Sequence, residues 1–382
     1  MKRHLLRIPI AIFCLTTALF AADGPWPWAG PTGRGTASLL IIGDVDIQRR
    51  ADPTTAFVHI GPTMKAAGLV YANLEGMLVA PQGPGVDIPD KRGWRHPGPG
   101  GVLALKAWNV PVVGIANNVA YDRTNILETI RVLDANGILH TGGGRNIVEA
   151  HEPAIIERDG VKFGFLQYTA RWYQDDEQLA TATEPGVAKI ASRDGMTVDP
   201  ADLDRVRDDI RRARALCDIL VVSHHNRDGA TATQFGPPPN APRGLPRDNH
   251  IAEAYQKQFA HAALDAGADL VYGHGTHTVQ GVEVYKGKPI LYAVGHSAFD
   301  QPGYEKRTDG LVVHVAIVDK KIARVAFVPV TRDAHNDVMM LDPSGPGRQL
   351  FDLIRKLSPG TPLHIEGQEV VLLDGGQPTT HW

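Results

Sequence analysis

Cysteine is almost absent from this chain: two in 382 residues, Cys14 and Cys217. Cys14 falls in a stretch with the composition of a leader, and Cys217 alone can close no internal bridge. Disulfide staples are therefore excluded, and stability has to come from a buried core, which a chain of this length can supply. A basic excess is missing too. The formal net charge is −3 with 21% charged residues and no block of one sign, so no nucleic-acid partner is expected. Long apolar runs are also lacking. The longest, Ile8–Ala22, has about 15 residues where a membrane span needs about 20. G-x-S-x-G, a P-loop and a Rossmann fingerprint do not occur, so serine hydrolase, nucleotidase and dehydrogenase readings have no motif. Gly33-Arg34-Gly35 is no phosphate loop, because no strand precedes it.

Glycine and proline are abundant, 40 and 28 residues, and imply many long loops. Lys2, Arg3 and Arg7 ahead of the short apolar run make Met1–Ala22 a signal peptide, cleaved or kept as an anchor. The expectation is an exported protein, periplasmic or extracellular. Asp23–Ala37 reads as a Pro/Gly-rich linker with two tryptophans, and a single domain fills residues 38–382.

Within that domain, apolar runs alternate with helical patterns over the first two-thirds, and hairpins dominate the last third. Ser38–Ile42, Leu69–Ala72, Val110–Ala116, Ile219–Ser223 and Leu270–Tyr272 read as strands covered on both faces. Helices are expected at Ala56–Ala67, Gly101–Trp108, from an N-cap at Thr124 to a stop at Asn136-Gly137, and at Ile251–Ala266. Another carries Leu203, Val206, Ile210, Ala213 and Leu216 on its buried face, with Cys217 buried after it. Asp159-Gly160 joins two strands as a hairpin turn, and 286–288 and the charged turn after Val318 join two more pairs. A helix at Gln349–Leu357 and a strand at Glu369–Leu373 follow. Thr141–Asn146 reads as a plain turn. Pro81–Gly100, with Trp94, Arg95 and His96, is a candidate rim over a site, and Asn226–Asn249 is long enough for a lid.

Five of the apolar runs end in metal-ligand residue types. They are Asp44 and Asp46, Glu75, Asn118, His224, and the Gly-rich loop with His274 and His277. Ligands of α/β folds gather at the carboxyl ends of strands. Mixed Asp, Glu, Asn and His donors fit Mn, Fe, Zn or Mg better than a structural zinc, which would want cysteine. Asp44 and Asp46 would point the same way along a continuing strand, and two such carboxylates repel unless a cation lies between them.

Taken in order, Gly43-Asp44, Asn73-Leu74-Glu75, Ala116-Asn117-Asn118, Thr129–Gly144, Ala266–Leu270 with the loop after it, and Ile290–Asp300 resemble the CapA family of poly-gamma-glutamate capsule synthesis proteins. The resemblance runs from Ser38 to the C-terminus. It implies an α/β, metallophosphoesterase-like sandwich of two mixed β-sheets flanked by helices, with the site at one edge. The chain also departs from that pattern. Val119 stands where the family has a histidine that serves phosphoesterases of this fold as a general acid, and Gly275 replaces an imidazole of the GH loop. Gly295-His296-Ser297 replaces Gly-Asn-Phe, whereas Asp46 matches the second ligand of a phosphoesterase Asp-x-His.

These matches imply an exported, metal-dependent enzyme of capsule or poly-gamma-glutamate synthesis, acting on an acidic polymer or peptide, with membrane-associated capsule machinery as an expected partner. Asp44, Asp46, Glu75, Asn118, His224 and His277 would hold the divalent metal, and His274 or His296 would handle protons. Two other readings stay open: a non-catalytic envelope protein that keeps the fold and binds the polymer, and a cell-wall or peptide hydrolase.

Overall fold

The computed structural model describes residues 24–30, 33, 35–79, 96–172, 178–192, 195–226, 250–301, 309–375 and 377–378. The signal segment, Trp94 and Arg95 with most of their loop, and the 226–249 loop beyond Asn226 lie outside the described residues.

Thr36–Asp46 is the strand on which the first sheet is built. It pairs in parallel with Leu69–Leu74 on one side and antiparallel with Gly310–Val318 on the other. Val112–Gly114 and Leu139–Thr141 extend the parallel side. Lys321–Arg332, Glu369–Asp374 and His364–Glu366 extend the antiparallel side. The sheet is therefore mixed, parallel where helices cross over and antiparallel where hairpins return the chain. The second sheet runs Val282–Tyr285, Lys288–Leu291, Leu270–His274, Ile219–His225, Val161–Thr169, Ala154–Arg158, and it too is mixed.

The two sheets pack face to face, and strand alternation explains why their sequences are apolar throughout. Leu39, Ile41, Tyr71, Phe163, Phe165, Val221, Tyr272 and Phe327 belong to the core between the sheets. Their neighbours Leu40, Ile42, Val70 and Ala72 face an outer core built with Phe57, Met64, Leu105, Ile126 and Leu133. On the far side Leu166, Leu220, Val222 and Val271 pack with Leu203, Val206, Ile210 and Phe259. Each full burial of such a side chain stabilises by roughly 1.5–3 kcal/mol. The result is the expected sandwich of two mixed sheets flanked by helices.

Local signals held in part. The Asp159-Gly160 hairpin forms, with φ of 51° and 75° at the turn. The helix at Arg123–Ala135 is capped by Asp122, whose carboxylate accepts the Asn125 N–H at 2.8 Å, two residues earlier than the Thr124 expected from sequence. Pro200–Arg214 ends before Leu216, which is 53% exposed. The predicted helix at Ala56–Ala67 is a 3-10 turn, Pro53–Phe57, and a short helix, Gly61–Ala66. Cys217 is half-buried, and its thiol lies 3.3 Å from the Ala213 carbonyl. His96 is no rim residue: it is buried and accepts the Met77 N–H at 3.1 Å.

Thr141–Asn146 is more than a turn. Gly143–Gly144 pairs with Gly186–Val187. A Cβ at Gly142, whose φ is +84°, would lie 2.7 Å from the Ala116 Cβ. That close contact seats the turn under the Asn117-Asn118 loop. In the linker, Trp28 stacks on His314 at 4.7 Å, and the Trp26 N–H donates to Thr63 Oγ1 at 2.8 Å, so this segment is fastened to the domain. Among the described residues no helix is long and apolar enough to cross a membrane.

Candidate metal centre

Strand alternation alone would send Asp44 to the helix side, with Leu40 and Ile42. The pairing with the neighbouring strand prevents this. Ile42 is opposite Ala72, but Asp44 is opposite Asn73, so Gly43 is an extra residue and the strand bulges. The bulge turns Asp44 onto the face of Asn73, Tyr71 and Leu69, at the edge of the core between the sheets. The Asp44 N–H donates to the Gly295 carbonyl at 3.1 Å and fixes the kink.

Asp44 is fully buried and is the hub of the site. Asn73 Nδ2 donates to Oδ1 at 2.9 Å, and the Gly275 N–H donates to Oδ2 at 3.1 Å. His274 Nδ1 lies 3.6 Å from Oδ1, and His277 Nδ1 lies 3.6 Å from Oδ2. Burial raises the Asp44 pKa to about 7, against the pull of hydrogen bonds from Asn73, Gly275 and Glu75. Each of the two imidazoles has a second one beside it. His225 Nδ1 is 3.2 Å from His274 Nδ1, and His296 Nε2 is 2.6 Å from His277 Nδ1. The donor atoms of Asp44, His225 and His274 lie within 4.8 Å of one another, as do those of Asp44, His277 and His296. Glu75 Oε1 stands 3.7 Å from His277 Nε2.

These donors suit a divalent cation. Among the described residues, imidazole nitrogens and a carboxylate converge here, the donor types that divalent transition metals take. Asn118 supports the same conclusion. Its side-chain amide is buried, and neither polar atom has a hydrogen-bond partner among the described residues, although such groups are nearly always satisfied. Backbone geometry also favours a built site: His277 has φ of +60°, a left-handed conformation that costs a non-glycine residue about 1 kcal/mol or more.

Of the residues expected from sequence, Asp44, His274, His277 and His296 come together, with Glu75 beside His277. Asp46 is buried too, but its carboxylate accepts from Gln48 Nε2 at 3.1 Å and Gln301 Nε2 at 3.3 Å. His224 is turned away. Val221, Ser223 and His225 share the face between the sheets, and His224 follows Leu220 and Val222 to the helix side. There its ring lies 4.8 Å from that of Phe259, and burial lowers its pKa to about 4. His274 is likewise held neutral, well below the usual imidazole range, by burial and then by His224.

Three glutamine and histidine contributions were missed. His225 was passed over for its neighbour. Gln167, at the end of Val161–Thr169, places its amide nitrogen 2.8 Å from Asn73 Oδ1, 3.1 Å from the Ala116 carbonyl and 3.1 Å from His274 Nε2. Gln178 Nε2 donates to the Asn118 and Ala120 carbonyls at 2.8 and 2.9 Å and clamps the Asn118 loop. The sequence signal for Gln167 was a polar residue ending an inward-facing alternation, Phe163, Phe165, Gln167. Val119, on the same loop, is fully buried. A separate cavity of about 510 Å³, bounded by Lys257, Tyr292, Lys356 and Ser358, contains none of these residues.

Comparison with known proteins covers most of the chain. A sequence model of the family described as bacterial capsule synthesis protein PGA_cap matches residues 38–240 and 244–301. The PGA biosynthesis protein CapA of Bacillus subtilis is 24% identical over 339 residues, 86% of this chain and 80% of that protein. A probable polyglutamine synthesis accessory protein of Mycobacterium tuberculosis is 31% identical over 217 residues, 54% of this chain and 49% of that one. A solved structure described as a novel phosphatase from Mycoplasma pneumoniae aligns over 84% of this chain and 100% of its own, with a TM-score of 0.46 and 12% identity.

Proposed function

The chain belongs to the bacterial capsule synthesis protein family PGA_cap, and we propose that it is an exported, metal-dependent enzyme of polyglutamate capsule synthesis acting on an acidic polymer or peptide. The observation that carries this reading is Asp44, buried and held between His274 and His277, each with a second imidazole alongside. The polymer follows from the resemblance to poly-gamma-glutamate capsule proteins and the relative named for PGA biosynthesis.

Asp44 would hold an ion with His225 and His274 beside one of its carboxylate oxygens and His277 beside the other, with Glu75 next to His277 and Asn118 as a further proposed donor. A divalent ion bound there would supply Lewis-acid chemistry toward an acyl or phosphoryl oxygen and an activated water near neutral pH. The chain's own groups orient that centre. Asn73 and the Gly275 N–H fix the Asp44 carboxylate, and Gln167 fixes the His274 ring. His274 stays neutral, so it serves with a lone pair and not as an acid. Export rests on the Met1–Ala22 pattern and accords with work on a surface polymer.

A second reading has one observation behind it. Val119 is fully buried where the resemblance calls for a proton-carrying imidazole, which suits a protein that binds the polymer without cleaving or joining it. Metal content separates the two. The purified mature protein should retain a transition metal, and Asp44→Ala and His277→Ala should lose it. Chelation should lower the melting temperature of the wild type, because an ion that binds only the native state stabilises it by about 2.7 kcal/mol at a hundred times its Kd. Equal melting temperatures with and without chelator, in all three proteins, would favour the non-catalytic reading.

A further inference from the structure

We propose that His296 is itself a metal ligand, and that with His277 and Asp44 it forms a nitrogen-rich set that selects a transition metal over magnesium. The proposal rests on the metal reading above and adds to it a donor and a preference. Strand pairing puts His296 there: His296–Phe299 runs parallel to the end of Thr36–Asp46, with His296 directly opposite Asp44. The ring is fully buried, and its Nε2 is 2.6 Å from His277 Nδ1. It is also held in place. His296 stacks on Phe299 at 4.1 Å and 8°, and its N–H donates to the Asp309 carbonyl at 3.1 Å. Gly295 before it has φ of +66° and no room for a side chain, since a Cβ would lie 2.3 Å from the Asp309 carbonyl oxygen.

Two imidazoles and one carboxylate oxygen make a set in which nitrogen outnumbers oxygen. Imidazole suits zinc, cobalt, iron and nickel, whereas magnesium keeps oxygen ligands and waters. The competing role for His296 is a hydrogen bond that orients His277 without touching the ion. A glutamine at 296 tells the two apart, because its amide can still donate to His277 Nδ1 but is a poor ligand for a transition metal.

The test uses the full mature chain, stripped of metal and titrated separately with Zn²⁺, Co²⁺ and Mg²⁺. Removing a residue that only supports a ligand typically costs about 10–100-fold in affinity, so loss of a ligand should reach about 100-fold or more for Zn²⁺. His296→Gln should show that loss, an altered Co²⁺ absorption spectrum and an unchanged Mg²⁺ affinity. His296→Phe, which keeps the stack on Phe299 but removes the hydrogen bond as well, covers the case in which the glutamine variant fails to fold through its Co²⁺ absorption spectrum, which loss of a ligand changes and loss of an orienting bond does not. Zn²⁺ affinity within about threefold of wild type in a folded His296→Gln protein, with the wild-type Co²⁺ spectrum, would overturn the proposal while leaving the metal reading intact. A wild type that takes up neither Zn²⁺ nor Co²⁺ would overturn both.

Discussion

A Cβ on Gly43 would lie 2.1 Å from the carbonyl oxygen of Gly295. That carbonyl accepts the Asp44 N–H, so the backbone contact that forbids a side chain at 43 is also the contact that holds the bulge and aims Asp44. Gly43→Ala should therefore do two things at once. Backbone cannot move aside as a flexible side chain can, and the substitution should cost about 3 kcal/mol. It should also turn Asp44 toward the helix side and weaken metal binding. Urea unfolding and metal content measure the two effects, and a variant that keeps its metal would mean the bulge does not set the aim of Asp44.

His225 and His224 are neighbours with opposite surroundings, and substituting each should separate site from packing. His225→Ala should release metal, because its ring is part of the Asp44–His274 set. His224→Leu should retain metal, since a neutral buried ring against Phe259 is replaced by an apolar group. Metal analysis of both proteins after gel filtration decides it. Loss of metal in the His224 variant alone would reverse the assignment.

Gln178→Ala removes the donor from two carbonyls, those of Asn118 and Ala120. Leaving buried acceptors unsatisfied costs roughly 1–3 kcal/mol, so the melting temperature should fall. The Asn118 loop should also become the first segment to exchange its amide hydrogens. Mass-spectrometric hydrogen exchange that leaves residues 117–121 as protected as in the wild type would count against the clamp.

His314 makes stability depend on pH. It is buried under Trp28, and burial, with the Arg324 charge, lowers its pKa from 6.5 to about 4. The unfolded chain thus takes up a proton near pH 6.5 that the folded chain refuses until about pH 4. The stability tied to this neutral ring is complete above pH 6.5 and is lost as the pH falls toward 4, at up to about 1.4 kcal/mol per pH unit for one proton. His314→Gln should flatten that decline between pH 6.5 and 4.5. Unfolding curves at three pH values would show it, and an unchanged slope would mean His314 titrates normally.

Much of the architecture could be read along the chain. Apolar runs covered on both faces, the Asp159-Gly160 turn and strands ending in Asp, Asn or His are local patterns, and each reports its own geometry through a period of two or a turn conformation. Those patterns also picked out Asp44, His274 and His277 as candidate donors. What they left open was the side on which each donor falls. Adjacent histidines at 224 and 225 must point to opposite faces of a strand, and only the stacking of the second sheet on the first decides which face is the site. A one-residue bulge reverses every later side chain on its strand, and nothing within Gly43-Asp44-Val45-Asp46 says that Gly295 will press against it. His277 and His296 lie 19 residues apart, with a hairpin between them. Gln167 reaches Asn73 from the other sheet. Contacts of that kind depend on how two sheets are placed against each other, and that placement is a property of the whole core.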